Sequence, residues 1–294
     1  MKWKIFILSL CLLWSLAGCA SWRMQSISAI KDLQYGVGNG HPLLLDIYRP
    51  AIIREKLPVI IWIHGGAWNS GSKDDCPISF LAGKTQVAIV SLNYRLSQEA
   101  RFPAQLNDCK GVVRWIRANS KAFNLDPNRI GAIGASAGGY LALLLATTGD
   151  CPALDGKTSG DHKFSSGVSC VCALYPPTDL NGLVTDPVER RNPDGDVAKL
   201  IGGAVQLNIQ SANAASPLYY ISSNTVPIFL VHGALDHVVP SSQSVNFYRK
   251  LLKNGVPAYL EIIPNQGHGL IPPKAVASKI FQFFRIYMGV NLGP

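Results

Sequence analysis

Hydrophobic positions along the chain follow two alternating patterns. Mainly apolar runs of five to seven residues are typical of strands within a buried sheet. The runs that predict strands lie at 43–48, 58–63, 87–92, 129–133, 168–174, 227–231 and 258–263. Between several of them, apolar residues recur every three or four positions, which predicts helices. The segments with this helical spacing cover 102–120, 137–147, 241–252 and 274–287.

Strands that alternate with helices predict an α/β fold with a mostly parallel central sheet, because right-handed helical crossovers join parallel strands. We expect helices on both faces of this sheet. The stretch from Asn181 to Ser211 is irregular, and so long a break predicts a lid or a small cap. A single domain is expected at 31–294, preceded by a short tether at 19–30.

The first eighteen residues have the features of a bacterial lipoprotein signal. Lys2 and Lys4 precede an apolar stretch at 5–16, which is too short to span ~30 Å of hydrocarbon comfortably. The sequence Leu-Ala-Gly-Cys at 16–19 then resembles a lipobox, in which cleavage precedes a cysteine that carries diacylglycerol. We therefore expect an exported protein that is anchored to a lipid bilayer through its acylated Cys19. An ordinary secretory signal or an uncleaved anchor is the alternative.

Composition indicates a folded protein and argues against a nucleic-acid partner. Hydrophobic residues make up 48% of the chain and charged residues 15%, which excludes a disordered protein. The net charge of +9 reflects a low number of acidic residues, 18, and no run of five or more Lys or Arg residues occurs. We therefore expect no binding to nucleic acid.

Seven cysteines are present, of which Cys11 and Cys19 belong to the N-terminal segment. The other five are Cys76, Cys109, Cys151, Cys170 and Cys172. An exported protein can keep disulfides, so up to two disulfides and one free thiol are possible, with the pairing open. Buried unpaired thiols are the alternative. No metal is expected, because no histidine lies at ligand spacing beside these cysteines, and nothing requires an organic cofactor.

A candidate nucleophile lies between a predicted strand and a predicted helix. Residues 134–139 read Gly-Ala-Ser-Ala-Gly-Gly and fit the pattern G-x-S-x-G in the strand–turn–helix context of a nucleophile elbow. Such a turn is strained, so the residues two positions before and after the serine must be small, as Gly134 and Gly138 are. The pattern predicts that Ser136 presents its hydroxyl above the sheet.

Candidate oxyanion donors follow another strand. Residues 64–68 read His-Gly-Gly-Ala-Trp, and paired glycines let a loop turn its amides inward. Acyl transfer needs such N–H groups where a carbonyl oxygen becomes an oxyanion. We expect the N–H groups of Gly66, Ala67 and Ala137 to form this oxyanion hole. His64 is predicted to hold the loop in place rather than to act as a base.

The remaining catalytic candidates also follow predicted strands. Asp236 comes after a late strand and is the predicted acid that orients the catalytic imidazole. Asp179, one strand earlier, is the rival acid. His268 lies between two glycines after the last strand, and it is the predicted general base. His237 adjoins Asp236 but has no loop of its own with which to reach Ser136.

The chain order Ser136, Asp236, His268 is that of the triad in the α/β-hydrolase fold. The chain resembles this superfamily, and within it the esterases with HGGG(W) and GxSAGG motifs. These include the hormone-sensitive-lipase type and the bacterial carboxylesterase or feruloyl-esterase-like type. The similarity runs from about 43 to 286. Further segments that carry it are Asn93-Tyr94-Arg95, Arg114-Trp115-Ile116-Arg117, Asp126-Pro127-Asn128-Arg129-Ile130 and Ala215-Ser216-Pro217.

Two positions depart from the family pattern. Ala67 stands where the third oxyanion glycine is usual, although it still offers an N–H group. The serine motif reads Gly-Ala-Ser where the lipase-like group usually has Gly-Asp-Ser, which favours the feruloyl-esterase-like branch.

The residues and the resemblance together imply a serine carboxylic ester hydrolase, a carboxylesterase that acts on a small-molecule ester through an acyl-enzyme. The alternatives are a peptidase or an acyltransferase on the same fold, or a non-catalytic surface lipoprotein. The sequence does not define the ester. Trp68 and Tyr94 are candidates either for pocket walls or for packing.

Overall fold

The strands form one sheet in a computed structural model that describes residues 26–149, 151–156 and 162–290. The predicted signal at 1–18 and its lipid-attachment residue, Cys19, lie outside the described residues. In the described ranges, no helix is both long enough and apolar enough to cross a membrane.

Eight strands are present in the described residues. In chain order they are β1 (Ile27–Gly38), β2 (His41–Pro50), β3 (Leu57–Ile63), β4 (Ala88–Leu92), β5 (Leu125–Ala135), β6 (Cys170–Leu174), β7 (Ile228–Gly233) and β8 (Ala258–Ile263). Their order in the sheet is β1-β2-β4-β3-β5-β6-β7-β8. The pairs β1/β2 and β2/β4 are antiparallel, and all other neighbours are parallel. The mostly parallel sheet that the sequence predicted is confirmed.

The helices cover both faces of the sheet. They are α1 (Leu81–Lys84), α2 (Ala104–Phe123), α3 (Ala137–Thr147), α4 (Leu180–Leu183), α5 (Asp196–Ile201), α6 (Ile209–Ala214), α7 (Ser242–Lys253) and α8 (Lys274–Met288). Helices α2, α3 and α7 contribute to one buried cluster, whereas α1 and α8 contribute to the other. Alternate residues of β3 divide between the clusters, since successive strand residues point to opposite faces.

Strand β1 departs from the sequence prediction. It begins at Ile27, so the last residues of the predicted tether at 19–30 belong to the sheet. Its residues are mostly exposed or half-buried, and its pairing with β2 shifts register twice. An edge strand that faces water needs no continuous apolar run, so the hydrophobic pattern did not mark it.

The segment between β6 and β7, residues 175–227, contains three short helices and several single turns. Helices α4, α5 and α6 have four to six residues each. The predicted irregular stretch at 181–211 lies inside this segment, which we call the β6–β7 segment. Several of its residues line a cavity together with Ser136 and Ala137, so it lies beside the carboxyl end of β5.

The five cysteines outside the N-terminal segment are free thiols. Cys170 and Cys172 lie in the same buried cluster, whereas Val171 between them lies in the other, as expected for one strand. Burial raises the pKa of the Cys76 thiol to about 11. Of the possibilities that the sequence left open, the structure shows the unpaired thiols.

Candidate active site

Ser136 lies at a sharp turn between β5 and α3. Its backbone angles, φ 54° and ψ −120°, are sparsely populated for any residue with a side chain, so the turn is strained. A Cβ at Gly134 would collide with the carbonyl of Gly138, and one at Gly138 would collide with the carbonyls of Ile63 and His64. The need for small residues on both sides of Ser136 therefore has a direct steric cause.

The structure brings Ser136, His268 and Asp236 into one hydrogen-bonded row. Nε2 of His268 lies 2.9 Å from Oγ of Ser136, and Nδ1 lies 2.8 Å from Oδ2 of Asp236. The carboxylate can only accept from Nδ1–H, which leaves Nε2 free to accept the serine proton. This is the arrangement in which a histidine can remove a proton from a serine hydroxyl.

Asp236 is held rigidly below the imidazole. Its side chain is fully buried, whereas that of His268 is 23% exposed. Oδ1 of Asp236 accepts hydrogen bonds from the backbone N–H groups of Val238 and Val239, at 2.9 and 2.8 Å. These bonds leave Oδ2 directed at the imidazole.

His232 supports this carboxylate, a role that the sequence analysis did not assign. It is fully buried on β7. Its Nε2 donates to the carbonyl of Val239 at 2.8 Å, and its Nδ1 accepts from the hydroxyl of Ser244 at 2.7 Å. The same Nε2 lies 3.3 Å from Oδ2 of Asp236. Burial lowers the pKa of His232, which keeps the ring neutral near neutral pH.

Tyr175 packs its ring against the imidazole of His268 edge to face, with 4.8 Å between the ring centres. It follows β6 directly, and its backbone N–H donates to the carbonyl of Val231 at 2.7 Å. Tyr175 also has a positive φ of 39°. The only sequence signal for this residue was its position after the carboxyl end of a strand, where ligand sites collect.

The predicted oxyanion loop has an unusual backbone. Gly66, Ala67 and Trp68 have consecutive positive φ values of 108°, 49° and 61°. The N–H groups of Gly66, Ala67 and Ala137 donate no hydrogen bond to any described residue. All three residues line cavities that also contact Ser136. These amides are therefore available to a ligand atom beside the hydroxyl.

His64 makes the contacts of a loop support, the role that the sequence analysis predicted. Its ring is buried and stacks on Tyr94 at 4.3 Å between centres, and its Nδ1 lies 2.7 Å from the carbonyl of Gly65. The Tyr94 hydroxyl in turn donates to the carbonyl of His64 at 3.1 Å. Burial lowers the pKa of His64. Tyr94 is therefore a packing residue beneath this loop rather than a pocket wall.

Trp68 is also largely a packing residue. It is buried and meets Tyr140 edge to face, with 5.1 Å between the ring centres. Part of its surface lines the smaller of the two cavities described below.

Two buried ion pairs fix the segments around the oxyanion loop. Lys73 bridges to Asp46 on β2 at 3.0 Å, and its backbone N–H donates to the side chain of Asn93 at 2.7 Å. Arg95 binds both carboxylate oxygens of Asp108 on α2, at 2.9 and 2.7 Å. The Lys73 pair is part of a network, since Asp46 also binds Lys31 at 2.6 Å and Lys73 also binds Asp32 at 2.7 Å. Removing Arg95 would take the bidentate partner from a fully buried carboxylate, so that position is strongly constrained.

The rival acid, Asp179, does not join the row. Its Oδ1 accepts from the backbone N–H of Gly182 at 3.1 Å, and Asp179 thus caps the N-terminus of α4. His237, which adjoins Asp236, is exposed. Of the two candidate acids, the structure places only Asp236 in contact with His268.

Two cavities of different size meet at Ser136. The larger, about 1320 Å³, lies between the sheet and α8, and His268 is part of its wall. The smaller, about 320 Å³, lies between Ala67, Ala137 and the β6–β7 segment. In the described ranges, no group of three His, Cys, Asp or Glu side chains is placed to hold a metal ion.

Comparisons with known proteins identify the family of the chain. The model of the BD-FAE family matches residues 45–251. Esterase LipQ of Mycobacterium tuberculosis (strain ATCC 25618 / H37Rv) is 30% identical over 274 residues, which cover 90% of this chain and 63% of LipQ. The chain thus spans less than two thirds of the length of this curated relative.

Two solved structures resemble the protein over most of its length. A bifunctional GH43-CE protein of Bacteroides eggerthii has a TM-score of 0.79 and 30% identity, covering 88% of this chain and 38% of its own. A truncated carbohydrate esterase from gut microbiota has a TM-score of 0.78 and 26% identity, covering 90% and 98%. With the fold and the family match together, the chain belongs to the BD-FAE family of α/β-hydrolases.

Proposed function

We propose that the protein is a serine carboxylic ester hydrolase with Ser136 as nucleophile, His268 as general base and Asp236 as the group that orients the imidazole. The hydrogen-bonded row from Ser136 through His268 to Asp236 is the observation that carries this proposal. LipQ is named an esterase, and the gut-microbiota structure is named a carbohydrate esterase, which supports the same reaction class.

The reaction begins when Oγ of Ser136 attacks the ester carbonyl and His268 Nε2 takes the hydroxyl proton. The N–H groups of Gly66, Ala67 and Ala137 stabilise the oxyanion that forms. Collapse of this intermediate breaks the bond to the alcohol oxygen, which receives the proton from Nε2. Water then attacks the acyl-enzyme by the same steps, which releases the acid and restores Ser136.

Turnover of p-nitrophenyl acetate by Ser136→Ala tests this assignment. We expect kcat to fall by about 10⁴- to 10⁶-fold, because the nucleophile is lost while the fold remains. Ser278→Ala is the matched control, since Ser278 is an exposed serine on α8. Equal rates for Ser136→Ala and the wild type would remove the assignment. Parallel assays with aminoacyl amides and with added acyl acceptors separate an esterase from a peptidase or an acyltransferase.

We further propose that the protein is an exported lipoprotein attached to a bilayer through Cys19. The charged start, the short apolar stretch and the sequence Leu-Ala-Gly-Cys at 16–19 support this proposal. Two or more acyl chains on one residue give stable anchoring, since each buried methylene contributes ~0.8 kcal/mol.

A further inference from the structure

The hydroxyl of Ser136 lies where two cavities of different chemistry meet. The larger extends from Ser136 beneath α8, and its deep wall is apolar. Side chains of this deep wall include Trp62, Ile133, Ile280 and Phe284, all of which are buried. The exposed residues Phe80 and Ile271 also line this cavity, so apolar surface continues to the solvent.

The smaller cavity has about a quarter of this volume and a mixed lining. Ala67 and Ala137 form one wall of it, and the β6–β7 segment forms the other, with Val184 and Asp196 among its side chains. Its smaller volume and mixed lining suit a shorter and less apolar substituent than the larger cavity can hold.

The position of His268 determines which part of an ester enters each cavity. In the acylation step, the alcohol oxygen must receive its proton from Nε2, so the alcohol must lie on the histidine side of Ser136. His268 and the following residues, Gly269 and Leu270, line the larger cavity, but none of them lines the smaller one. Ala67 lies in the wall of both cavities, whereas Ala137 lines only the smaller one. The acyl substituent is then left with the smaller cavity, beside Ala137.

We propose that the larger cavity is the alcohol site and that the preferred substrates are esters of short acids with long or bulky apolar alcohols. This inference rests on the ester hydrolysis proposed above. The bond from Ser136 Oγ to the carbonyl carbon forms as the carbon–alkoxy bond breaks, and the alkoxy oxygen takes the proton from Nε2. The alcohol leaves through the larger cavity, and water then releases the short acid.

A pair of isomeric esters tests the assignment directly. Octyl acetate and ethyl octanoate have the same atoms and nearly the same hydrophobicity, but they carry the long chain on opposite sides of the ester. We expect kcat/KM, measured by titration of released acid, to be at least about tenfold higher for octyl acetate. Each methylene added to the alcohol should raise kcat/KM by up to about fourfold, which corresponds to ~0.8 kcal/mol. A preference for ethyl octanoate, or no preference, overturns the assignment.

Two variants narrow one cavity each. Ala277 is a half-buried residue of α8 in the wall of the larger cavity, and Val184 is a half-buried residue in the wall of the smaller one. We expect Ala277→Phe to lower kcat/KM for octyl acetate relative to that for ethyl acetate at least about tenfold. We expect Val184→Phe to lower the ratio of ethyl butanoate to ethyl acetate hydrolysis and to leave the ratio of octyl acetate to ethyl acetate hydrolysis nearly unchanged.

Wild-type turnover of ethyl acetate separates the two proposals. If the wild type hydrolyses no ester, the proposed function fails. If hydrolysis depends on Ser136 but Ala277→Phe leaves octyl acetate unaffected, the reaction stands and the alcohol site is wrong. Retained hydrolysis of ethyl acetate by Ala277→Phe also shows that this variant folds.

Discussion

Nε2 of His268 lies 2.9 Å from Oγ of Ser136, although 132 positions separate the two residues along the chain. Two strand ends create this contact, since Ser136 follows β5 and the loop with His268 follows β8. In a parallel sheet, the carboxyl ends of the strands lie on the same side, and the loops that follow them can meet there.

The two candidate acids provide a matched pair of variants. We expect Asp236→Asn to lower kcat for p-nitrophenyl acetate by about 10⁴-fold, because an amide cannot hold the imidazole in the required tautomer. Asp179→Asn should retain nearly full activity, since asparagine caps a helix as well as aspartate does. If Asp179→Asn lost activity while Asp236→Asn kept it, the assignment of the acid would be wrong.

Buried histidines should make the fold less stable in mild acid. Burial lowers the pKa of His232 from its usual value of 6.5, so below about that pH the unfolded chain binds more protons than the folded one. The free energy of unfolding therefore falls as the pH falls. Urea denaturation at about pH 7.5 and about pH 5.5 measures the loss.

Replacing His232 isolates its share of this pH dependence. We expect His232→Asn to show a smaller loss of unfolding free energy between the two pH values than the wild type does, because this proton uptake is gone. His41→Asn is the control, since His41 is exposed, and it should keep the wild-type loss. An unchanged loss in His232→Asn would contradict the assigned cause.

Steric crowding at the nucleophile elbow gives a further prediction. A Cβ at Gly138 would collide with the carbonyls of Ile63 and His64, whereas the nearest atom to a Cβ at Gly149 is 4.0 Å away. We expect Gly138→Ala to lower the free energy of unfolding by about 1–3 kcal/mol and to lower kcat, because the oxyanion loop must move. Gly149→Ala should change both much less. Equal thermal stability and equal turnover for the two variants would refute this steric account.

The proposed membrane attachment depends on Cys19. We expect the full-length protein, expressed in a bacterium, to sediment with membranes, and Cys19→Ala to shift it to the soluble fraction. Cys11→Ala should leave sedimentation unchanged, because Cys11 lies inside the segment that is removed. Mass spectrometry of the mature N-terminus checks the acyl chains. An unacylated N-terminus on membrane-bound protein would show that another feature anchors it.

The sequence predicted those parts of the site that depend on strand ends and on local motifs. Ser136 directly follows β5, and Asp236 and His268 lie on the loops that follow β7 and β8, so the parallel sheet places all three beyond the carboxyl ends of its strands. The role of the glycines beside Ser136 could be predicted from the sequence because the turn itself requires small residues. The resemblance to α/β-hydrolases is consistent with the observed sheet order.

Features that depend on tertiary contacts were not readable from the sequence. His232 gave no local signal, because its partners, Val239 and Ser244, meet it only after β7 and α7 have packed. Strand β1 was missed because an edge strand lacks the continuous apolar run of a central one. The two cavities are spaces between packed elements. The hydrophobic periodicity of the sequence predicts the elements but not the spaces between them.

Covalent labelling by a fluorophosphonate tests whether Ser136 is the nucleophile. We expect one adduct, located by mass spectrometry on the peptide that contains Ser136, and loss of ester turnover in proportion to labelling. Full turnover by protein that is completely labelled at Ser136, or an inactivating adduct on a different residue, would contradict it.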